Sequence, residues 1–401
     1  MYRQNFSHRG KPSGGFRARP QFGGRPRSQG FRVKNFDPSH VIANSVQAVP
    51  EAEVEFTPVH KFTDFAIRED LKVNIKKRNF SAPTPIQDQT IPKILEGHDV
   101  VGIANTGTGK TAAFLIPLLN KALNNRAQRT LIIAPTRELA VQIESDLRLL
   151  SGGMNVGSVI CIGGVSINGQ IMRLQKRPQF VIGTPGRLVD LNNQRKLHFG
   201  DFQSVVLDEV DRMLDMGFIR DVDRIISGLP KARQSLFFSA TIDGSVMTVM
   251  QRFTNNPVTI SVKKQDAVAN VEQKIVKTGG KQKLDVLQGL LDNREFQRVL
   301  VFSRTKRGAE KLTKDLQKMR FNALAIHGNK TQGQRQKSLD FFRQGRVNIL
   351  VATDVVARGI DVKNITHVIN YDLPESYEDY LHRIGRTGRA GMKGQALTFV
   401  D

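Results

Sequence analysis

The sequence predicts an α/β protein in which two parallel-sheet domains follow a basic N-terminal segment. From about residue 62, short apolar stretches alternate with helix-length amphipathic stretches, a pattern typical of parallel sheets. The alternation pauses over residues 262–271 and then resumes. A chain of 401 residues is also too long for one ordinary core. We therefore expect one domain over 62–262, a linker, and a second domain over 271–401.

The chain carries a large excess of positive charge. Sixty lysines and arginines stand against 37 acidic residues, which gives a net charge of +23. An excess of this size usually indicates a polyanionic partner, and nucleic acid is a more common one than a membrane surface. The apolar stretches are strand-sized and shorter than the roughly 18 residues of a membrane-spanning helix. We expect nucleic-acid binding and no membrane span, with a merely solvated basic surface as the alternative.

Residues 1–50 are expected to form a disordered tail. Residues 1–36 contain nine lysines and arginines, six glycines and six aromatic residues, but no acidic residue. Such a segment buries too little apolar surface to offset the entropy lost on ordering. Arginines among aromatic side chains can neutralise phosphates and stack on unpaired bases, so we expect the tail to bind RNA. An arginine-rich targeting peptide is the alternative, which the many glycines and prolines disfavour.

Eleven stretches are predicted to be strands. The first domain would contain DVVGIA, TLIIAP, SVICIGG, QFVIGT, SVVLDE and SLFFSA, and the second RVLVFS, ALAIHG, NILVAT, HVINY and QALTFV. Ligands of parallel sheets bind beyond the carboxyl ends of the strands, so the polar residues after these stretches are the candidate site residues. The single cysteine, Cys161, lies in an apolar run. We expect a buried thiol and a reducing, cytoplasmic location.

The stretch ANTGTGKT, at residues 104–111, is predicted to bind nucleotide phosphates. It joins a strand to a helix through glycines that let the loop curl with its N–H groups inward, and the helix amino end attracts anions. Lys110 would reach the β and γ phosphates, and Thr111 would ligate Mg²⁺. Ala104 replaces the first glycine of the general pattern, where its small side chain should be tolerated. A glycine-rich turn without a ligand is the alternative, which the Gly-Lys-Thr context disfavours.

Asp208 and Glu209, in VVLDEVD, are predicted to be catalytic carboxylates. Asp208 closes an apolar strand, where a carboxylate would hold Mg²⁺, partly through water. Glu209 is placed to accept a proton from an attacking water. Helix capping by these acids, or by Asp211, is the alternative. Two adjacent acids downstream of a phosphate loop favour the catalytic interpretation.

From Phe62 to its C-terminus, the chain resembles DEAD-box ATP-dependent RNA helicases of superfamily 2, with a DEVD variant of the acidic motif. The resemblance implies two tandem RecA-like domains and RNA-stimulated ATP hydrolysis that remodels or locally unwinds RNA duplexes. Members of the family also carry alanine at the position of Ala104. The motifs occur in order: PTPIQ (83–87), ANTGTGKT, PTREL (135–139), the glycine pair 163–164, TPGR (184–187), DEVD (208–211), SAT (239–241), QGQR (332–335), TDVVARGID (353–361) and HRIGRTGR (382–389).

The resemblance also implies roles for individual residues. The nucleotide would be bound by Phe62, Gln87, Thr106, Gly107, Thr108, Gly109, Lys110, Thr111 and Asp361, with Gln87 on the adenine edge and Asp361 on the ribose. The catalytic set would be Lys110, Asp208, Glu209, His382, Arg386 and Arg389, the two arginines reaching the γ phosphate from the second domain. Ser239 and Thr241 would couple hydrolysis to RNA. The RNA backbone would be held by Arg137, Gly163, Gly164, Thr184, Arg187, Arg335, Thr353 and Gly359. Contacts of this kind predict little preference for RNA sequence.

Three features depart from the usual family pattern. Val210 replaces the alanine of the acidic motif, and we expect its two extra methyl groups to be tolerated. Asn79 stands where glycine is usual, so we expect a positive φ there. The chain stops at Asp401, soon after QALTFV, where relatives usually continue with a further helix; this ending is typical of a truncated second domain.

Two other functions stay open. The chain could be a non-enzymatic RNA-binding or annealing chaperone with an inactive ATPase fold, or a superfamily 2 DNA translocase. Intact Lys110, Glu209 and Arg389 disfavour the first, because a protein that only binds has no need for the hydrolytic set. PTPIQ and the DEVD form favour RNA over DNA.

Overall fold

The structure is a computed structural model that describes residues 56–105, 107–262, 270–357, 362, 364–388 and 392–400. Several predictions fall on other residues and therefore lie outside the described part of the chain. They concern the tail, most of the linker, Thr106, Gly359, Asp361 and Arg389.

The first sheet contains seven strands in the order β3-β4-β2-β5-β6-β1-β7, and every pair is parallel. The strands are β1 (Val100–Ile103), β2 (Thr130–Ile133), β3 (Ser158–Cys161), β4 (Phe180–Gly183), β5 (Ser204–Leu207), β6 (Gln234–Ser239) and β7 (Val258–Ser261). The α-helices are α1 (Glu69–Lys77), α2 (Pro85–Leu95), α3 (Lys110–Asn124), α4 (Arg137–Leu150), α5 (Ile167–Gln175), α6 (Pro185–Asn193), α7 (Val210–Asp215), α8 (Ile219–Gly228) and α9 (Gly244–Phe253).

The first sheet separates two apolar cores. Along β5, Val206 belongs to one core, whereas Val205 and Leu207 belong to the other. This division follows from the two-residue period of a strand, whose successive side chains point to opposite faces. Both faces are covered, which explains the nearly continuous apolar character of the central strands.

The second sheet contains six parallel strands in the order β10-β11-β9-β12-β13-β8. The strands are β8 (Val271–Lys277), β9 (Val299–Phe302), β10 (Ala323–Ile326), β11 (Ile349–Ala352), β12 (His367–Asn370) and β13 (Gly394–Val400). The helices are α10 (Lys283–Leu291), α11 (Lys306–Lys318), α12 (Gln332–Arg343), α13 (Asp354–Ala357) and α14 (Tyr377–Ile384). Its two main cores again lie on opposite faces of the sheet.

All eleven predicted strands are present, together with two that sequence analysis missed. The missed strands, β7 and β8, are edge strands in which most residues are exposed or half-buried. The positive φ expected at Asn79 is confirmed at 58°. Val210 is fully buried within one of the cores of the first domain. Among the described helices, none has both the length and the apolar character needed to cross a bilayer.

The close packing around Gly183, the last residue of β4, can be tested by adding a methyl group there. A methyl group there would lie 2.6 Å from the Cys161 carbonyl oxygen and 2.7 Å from Leu188 Cδ2. Because backbone must move, we expect Gly183→Ala to destabilise the chain by about 1–3 kcal/mol. Gly169→Ala is the control: it lies in α5 with open space around it and should stabilise by about 0.5–1 kcal/mol. Urea unfolding followed by circular dichroism measures both, and equal midpoints would contradict this packing.

Candidate functional site

The phosphate loop connects β1 to α3 and is closed by its own lysine. Gly107 and Gly109 have φ values of 86° and 94°, in the left-handed region that favours glycine. Lys110, the first residue of α3, is buried, and its Nζ donates to the Ala104 carbonyl at 2.9 Å. The predicted loop is therefore present, with the lysine head held against the loop backbone.

The remaining described residues of the loop surround this bond. Thr108 Oγ1 donates to the Asn105 carbonyl at 2.8 Å, which tightens the loop. Thr111 lies half-buried in the first turn of α3. Lys110 and Thr111 therefore adjoin the amino end of a 15-residue helix, whose dipole favours an anion.

Gln87 joins α2 to the phosphate loop. Its Oε1 accepts from the Thr84 backbone N–H at 3.0 Å, and its Nε2 donates to the Gly109 carbonyl at 3.1 Å. A side chain on Gly109 would collide with Gln87 Nε2. A primary amide has two N–H groups and two oxygen lone pairs, so one of each remains for the predicted adenine contact.

Phe62, the predicted stacking residue for adenine, belongs to an aromatic cluster. Its ring centroid is 5.9 Å from that of Phe65 and 5.9 Å from that of Phe80. The ring of Phe62 is 7% exposed. It is therefore fixed next to Phe80, the residue that follows the left-handed turn at Asn79.

Asp208 follows β5 and is the unusual group of the site. Its carboxylate is buried, and Oδ1 has no hydrogen-bond partner among the described residues. Burial raises the pKa of Asp208 to about 7, and the charges of Glu209 and Asp211 add to this rise, whereas Lys110 opposes it. Buried polar atoms are nearly always satisfied, so an unpartnered carboxylate oxygen fits a cation-binding role.

Glu209 has a strained backbone and a side chain that is held in place. Its φ of 54° is left-handed, which is uncommon for a residue other than glycine, asparagine or aspartate. Its Oε2 accepts from Arg212 Nη1 in an ion pair between two largely buried side chains. Sequence analysis missed Arg212, although the spacing of three residues on a helix could have indicated the pair.

Asp211 ties the acidic motif to the end of β6. Its Oδ2 accepts from the backbone N–H groups of Ala240 and Thr241, at 3.1 and 3.2 Å, and from Thr241 Oγ1 at 3.3 Å. The Asp211 N–H donates to Ser239 Oγ at 3.4 Å. Ser239 and Thr241, the predicted coupling residues, are thus bonded directly to the motif that carries Asp208.

Five of the eight predicted RNA-binding residues line one cavity of about 410 Å³ between the two sheets. These five are Arg137, Gly163, Thr184, Arg187 and Arg335. Gly328 and Val356 add further wall from the second domain. Thr353 lies at the end of β11, buried, three residues before Val356.

The glycine pair makes room for Arg137. A methyl group on Gly164 would collide with Arg137 Nη1, and one on Gly163 would lie 3.0 Å from Nη2. Gly164 also has a φ of 79°, which disfavours any side chain. Three predicted RNA contacts are therefore one packing unit, in which the glycines position the guanidinium.

Two other arginines of the cavity have contrasting partners. Arg187 Nη1 is buried without a hydrogen bond to any residue that the structure describes, and Arg187 Nε lies 3.6 Å from Asp190 Oδ2. Arg335 Nη2 donates to Glu138 Oε2 at 2.6 Å, across the domain boundary. Gln332 Nε2 donates to the other Glu138 oxygen at 3.2 Å. Sequence analysis missed Glu138, whose partners lie almost 200 positions away.

The second domain places its motif arginines in different surroundings. Arg386 is buried, and its Nε donates to the carbonyl of His382 at 3.1 Å. Arg383, which sequence analysis missed, donates to both oxygens of Asp354 at 2.6 and 2.8 Å. Its guanidinium also lies 5.0 Å from the centroid of the Phe302 ring. Arg383 therefore anchors α14 to α13 from within the same motif.

Two family models match the chain in tandem. The DEAD/DEAH box helicase model matches residues 84–249, and the helicase conserved C-terminal domain model matches residues 282–391. The ATP-dependent RNA helicase CshA of Listeria monocytogenes is 46% identical over 344 residues, which cover 85% of this chain and 66% of that protein. The DEAD-box ATP-dependent RNA helicase CshA of Geobacillus kaustophilus is 43% identical, covering 84% and 73%. The chain thus spans about two thirds of the length of these relatives.

Solved structures show the same architecture. Saccharomyces cerevisiae Dbp5 bound to RNA and ADP BeF3 is 30% identical, with a TM-score of 0.75 over 85% of this chain and 89% of that one. The helicase Mss116 bound to ssRNA and UDP-BeF is 29% identical, with a TM-score of 0.77 over 88% and 76%. A DEAD box protein from Methanococcus jannaschii is 39% identical but has a TM-score of 0.50 over 85% and 93%. The TM-score is thus higher against the two RNA-bound structures than against the Methanococcus jannaschii protein.

Gly164 allows a test of the arginine that it positions. We expect Gly164→Ala to displace Arg137 and to weaken RNA binding about tenfold, the effect of losing one charge-assisted hydrogen bond. Gly153→Ala is a matched control, because Gly153 has a φ of 78° but nothing within 4 Å. Both changes strain the backbone, and only the first moves Arg137. Equal RNA affinities of the two variants, measured by fluorescence anisotropy, would argue against this role.

Proposed function

The chain belongs to the DEAD-box family of ATP-dependent RNA helicases, and on that premise we propose that it couples RNA-stimulated ATP hydrolysis to closure of its two domains. Closure would remodel or locally unwind RNA duplexes, and the products of hydrolysis would be ADP and phosphate. The observation that carries the proposal is the buried, unpartnered Oδ1 of Asp208 close to Lys110. These two groups follow β5 and β1, which lie on either side of β6.

The residues around Asp208 suit a Mg²⁺ ion. The unpartnered carboxylate oxygen of Asp208 and the hydroxyl of Thr111 are hard oxygen ligands, the type that this ion prefers. When bound, Mg²⁺ supplies positive charge next to the phosphates. The remaining ligands would be water and phosphate oxygens. Asp208 would contact the ion partly through one of these bound waters.

Lys110 and Glu209 have separate tasks in this mechanism. Lys110 leaves the Ala104 carbonyl and donates to the β and γ phosphates, at the amino end of α3. Glu209 accepts the proton of the attacking water on its carboxylate. Arg212 fixes the direction of that carboxylate through the ion pair between them.

The second domain completes the site on closure. We propose that Arg386 and Arg389 donate to the γ phosphate, where they stabilise the charge that develops during transfer. His382 couples the halves, and Asp361 accepts from the ribose hydroxyls. Gln87 and Phe62 complete the adenine pocket from the first domain, together with loop residues Thr106, Gly107, Thr108 and Gly109.

RNA would bind across the cavity between the sheets. Arg137, Arg187 and Arg335 contribute positive charge to its wall. The backbone of RNA would contact these side chains, Gly163, Gly164, Thr184, Thr353 and Gly359, without strong sequence preference. Ser239 and Thr241 would transmit binding to the acidic motif through their bonds to Asp211.

We propose the same domain limits and location that the sequence indicates. The limits are 62–262 for the ATP-binding domain and 271–401 for the C-terminal domain, with an RNA-binding tail over 1–50. The end of β7 at Ser261 and the start of β8 at Val271 support them. A cytoplasmic location is supported by the single cysteine, Cys161, which is buried and has no second cysteine with which to form an internal disulfide.

The choice of nucleic acid tests the function against its alternatives. We expect RNA to stimulate steady-state ATP hydrolysis of the whole chain and single-stranded DNA to stimulate it much less. Glu209→Gln should bind ATP and RNA normally but lose at least about 100-fold in turnover, the lower end of the range for a general base. RNA binding without ATPase in the unaltered protein would favour a chaperone, and equal stimulation by DNA would favour a translocase.

Arg389 tests the interdomain mechanism. Arg389→Ala should bind nucleotide through the first domain but lose roughly a thousandfold or more in RNA-stimulated hydrolysis. Arg389→Lys should recover little, because lysine keeps the charge but lacks the planar fork. Nucleotide affinity is measured with a fluorescent ATP analogue and turnover by phosphate release. Full activity of Arg389→Lys would contradict the proposed role of Arg389 in stabilising the charge on the γ phosphate.

A further inference from the structure

Helix α11 of the second domain presents a row of cations to solvent. Arg307, Lys311, Lys314 and Lys318 are all exposed, and we refer to these four residues as the basic stripe. Their spacings of four, three and four residues place them on one face of the helix. At about 1.5 Å per residue, the stripe extends over roughly 16 Å.

The basic stripe is one side of a strongly amphipathic helix. The opposite side, formed by Ala309, Leu312, Thr313 and Leu316, is buried against the sheet. The helix is thus held by its apolar face, and the cations are free to serve another purpose. A solvated helix surface in a stable protein usually mixes both signs of charge.

Acidic partners are scarce along the basic stripe. Lys318 Nζ lies 3.5 Å from Asp315 Oδ1, whereas Arg307, Lys311 and Lys314 have no ion pair with any described residue. The other acid of the helix, Glu310, is engaged by His327 at 2.9 Å and by Lys330 at 3.0 Å. The positive charge of the stripe is therefore largely uncompensated.

Helix α11, which carries the basic stripe, begins next to the cavity between the sheets. Lys306, the first residue of α11, lies against Gly328: a methyl group on that glycine would be 3.2 Å from Lys306 Cε. Gly328 itself lines the cavity. Because α11 follows β9 and returns toward the start of the parallel strand β10, it leads away from the ligand-binding edge of the sheet.

We propose that the basic stripe binds the sugar-phosphate backbone of the RNA segment adjoining the one held in the cavity. The inference rests on the proposed function, because the cavity must bind RNA for a flanking segment to reach α11. A length of 16 Å matches about five nucleotides at 3.4 Å each. The helix contains no aromatic residue. Binding is therefore electrostatic, without base stacking or sequence preference.

Neutralising three lysines of the stripe tests the proposal. The variant is Lys311→Gln, Lys314→Gln and Lys318→Gln in the whole chain. The control is Lys72→Gln, Lys76→Gln and Lys77→Gln on α1, a helix of the other domain. Each triple change lowers the net charge of +23 by three, and glutamine forms helix about as well as lysine.

Three single-stranded RNAs serve as probes: a short one of a few nucleotides that spans the cavity, and two extended by about ten nucleotides on the 5′ or the 3′ side. We expect the stripe variant to lose affinity for one extended RNA only, since α11 leads away from the cavity in one direction. The log–log salt slope for that RNA should fall by up to about 2, at about 0.7 for each phosphate contact. This corresponds to a loss of at most about 100-fold at 0.1 M salt, relative to 1 M.

The short RNA distinguishes a failure of this proposal from a failure of the proposed function. It should bind the unaltered protein, the stripe variant and the control equally, and stimulate ATPase in all three. Unchanged affinity of the stripe variant for both extended RNAs would overturn the proposal, and so would equal losses in the stripe variant and the control, which would indicate a general charge effect. Failure of the short RNA to stimulate the unaltered protein would instead overturn the proposed function.

Discussion

The parallel direction of the strands is the constraint on which the rest of the structure depends. Because all described strand pairs are parallel, every strand of a sheet ends at the same edge. In the first sheet, β1, β6 and β5 are neighbours, and they carry the phosphate loop, the SAT segment and the acidic motif. The other half of the edge, formed by β2, β4 and β3, carries the arginines and glycines of the cavity. The same edge of the first sheet thus carries both groups of candidate site residues, those for the nucleotide and those for RNA.

Hydrogen bonds join the segments that follow β5 and β6 at this edge. Asp211 belongs to the acidic motif that follows β5, yet its carboxylate is satisfied by Ala240 and Thr241, which follow β6. A shift of the β6 end therefore reaches the backbone beside Asp208 through hydrogen bonds rather than through the core. Between the domains, Glu138 makes the corresponding link, because one carboxylate accepts from both Gln332 and Arg335.

The sequence allowed most of the fold to be predicted, since buried parallel strands leave continuous apolar runs. The two strands that were missed lie at sheet edges: in β7 only Ile260 is buried, and in β8 only Val271. Each of these strands is held by backbone hydrogen bonds to one neighbouring strand, and its own residues do not form the apolar run that predicts a buried strand. The left-handed turn at Asn79 was predictable because few residue types adopt it.

The sequence motifs indicated individual candidate residues, whereas the contacts between those residues could not be predicted from the motifs. Motif spacing identified Asp208, Glu209 and Arg335 without indicating what they contact. The partners Arg212 and Glu138 depend on a local helix and on the docking of two domains, respectively. Arg383 lies within a recognised motif and acts as a buried anchor to Asp354, a role that no local pattern distinguishes from ligand binding.

The bond between Lys110 and the Ala104 carbonyl gives the phosphate loop an internal competitor. One of the three N–H groups of the lysine is committed to this buried acceptor, and an anion that took that N–H would leave the carbonyl unsatisfied, at a cost of about 1–3 kcal/mol. A free phosphate ion has only its own contacts to offset that loss. A nucleotide adds contacts from its base and sugar; because the cost is the same for both ligands, it lowers both affinities equally, and only the added contacts make the nucleotide bind more tightly than inorganic phosphate.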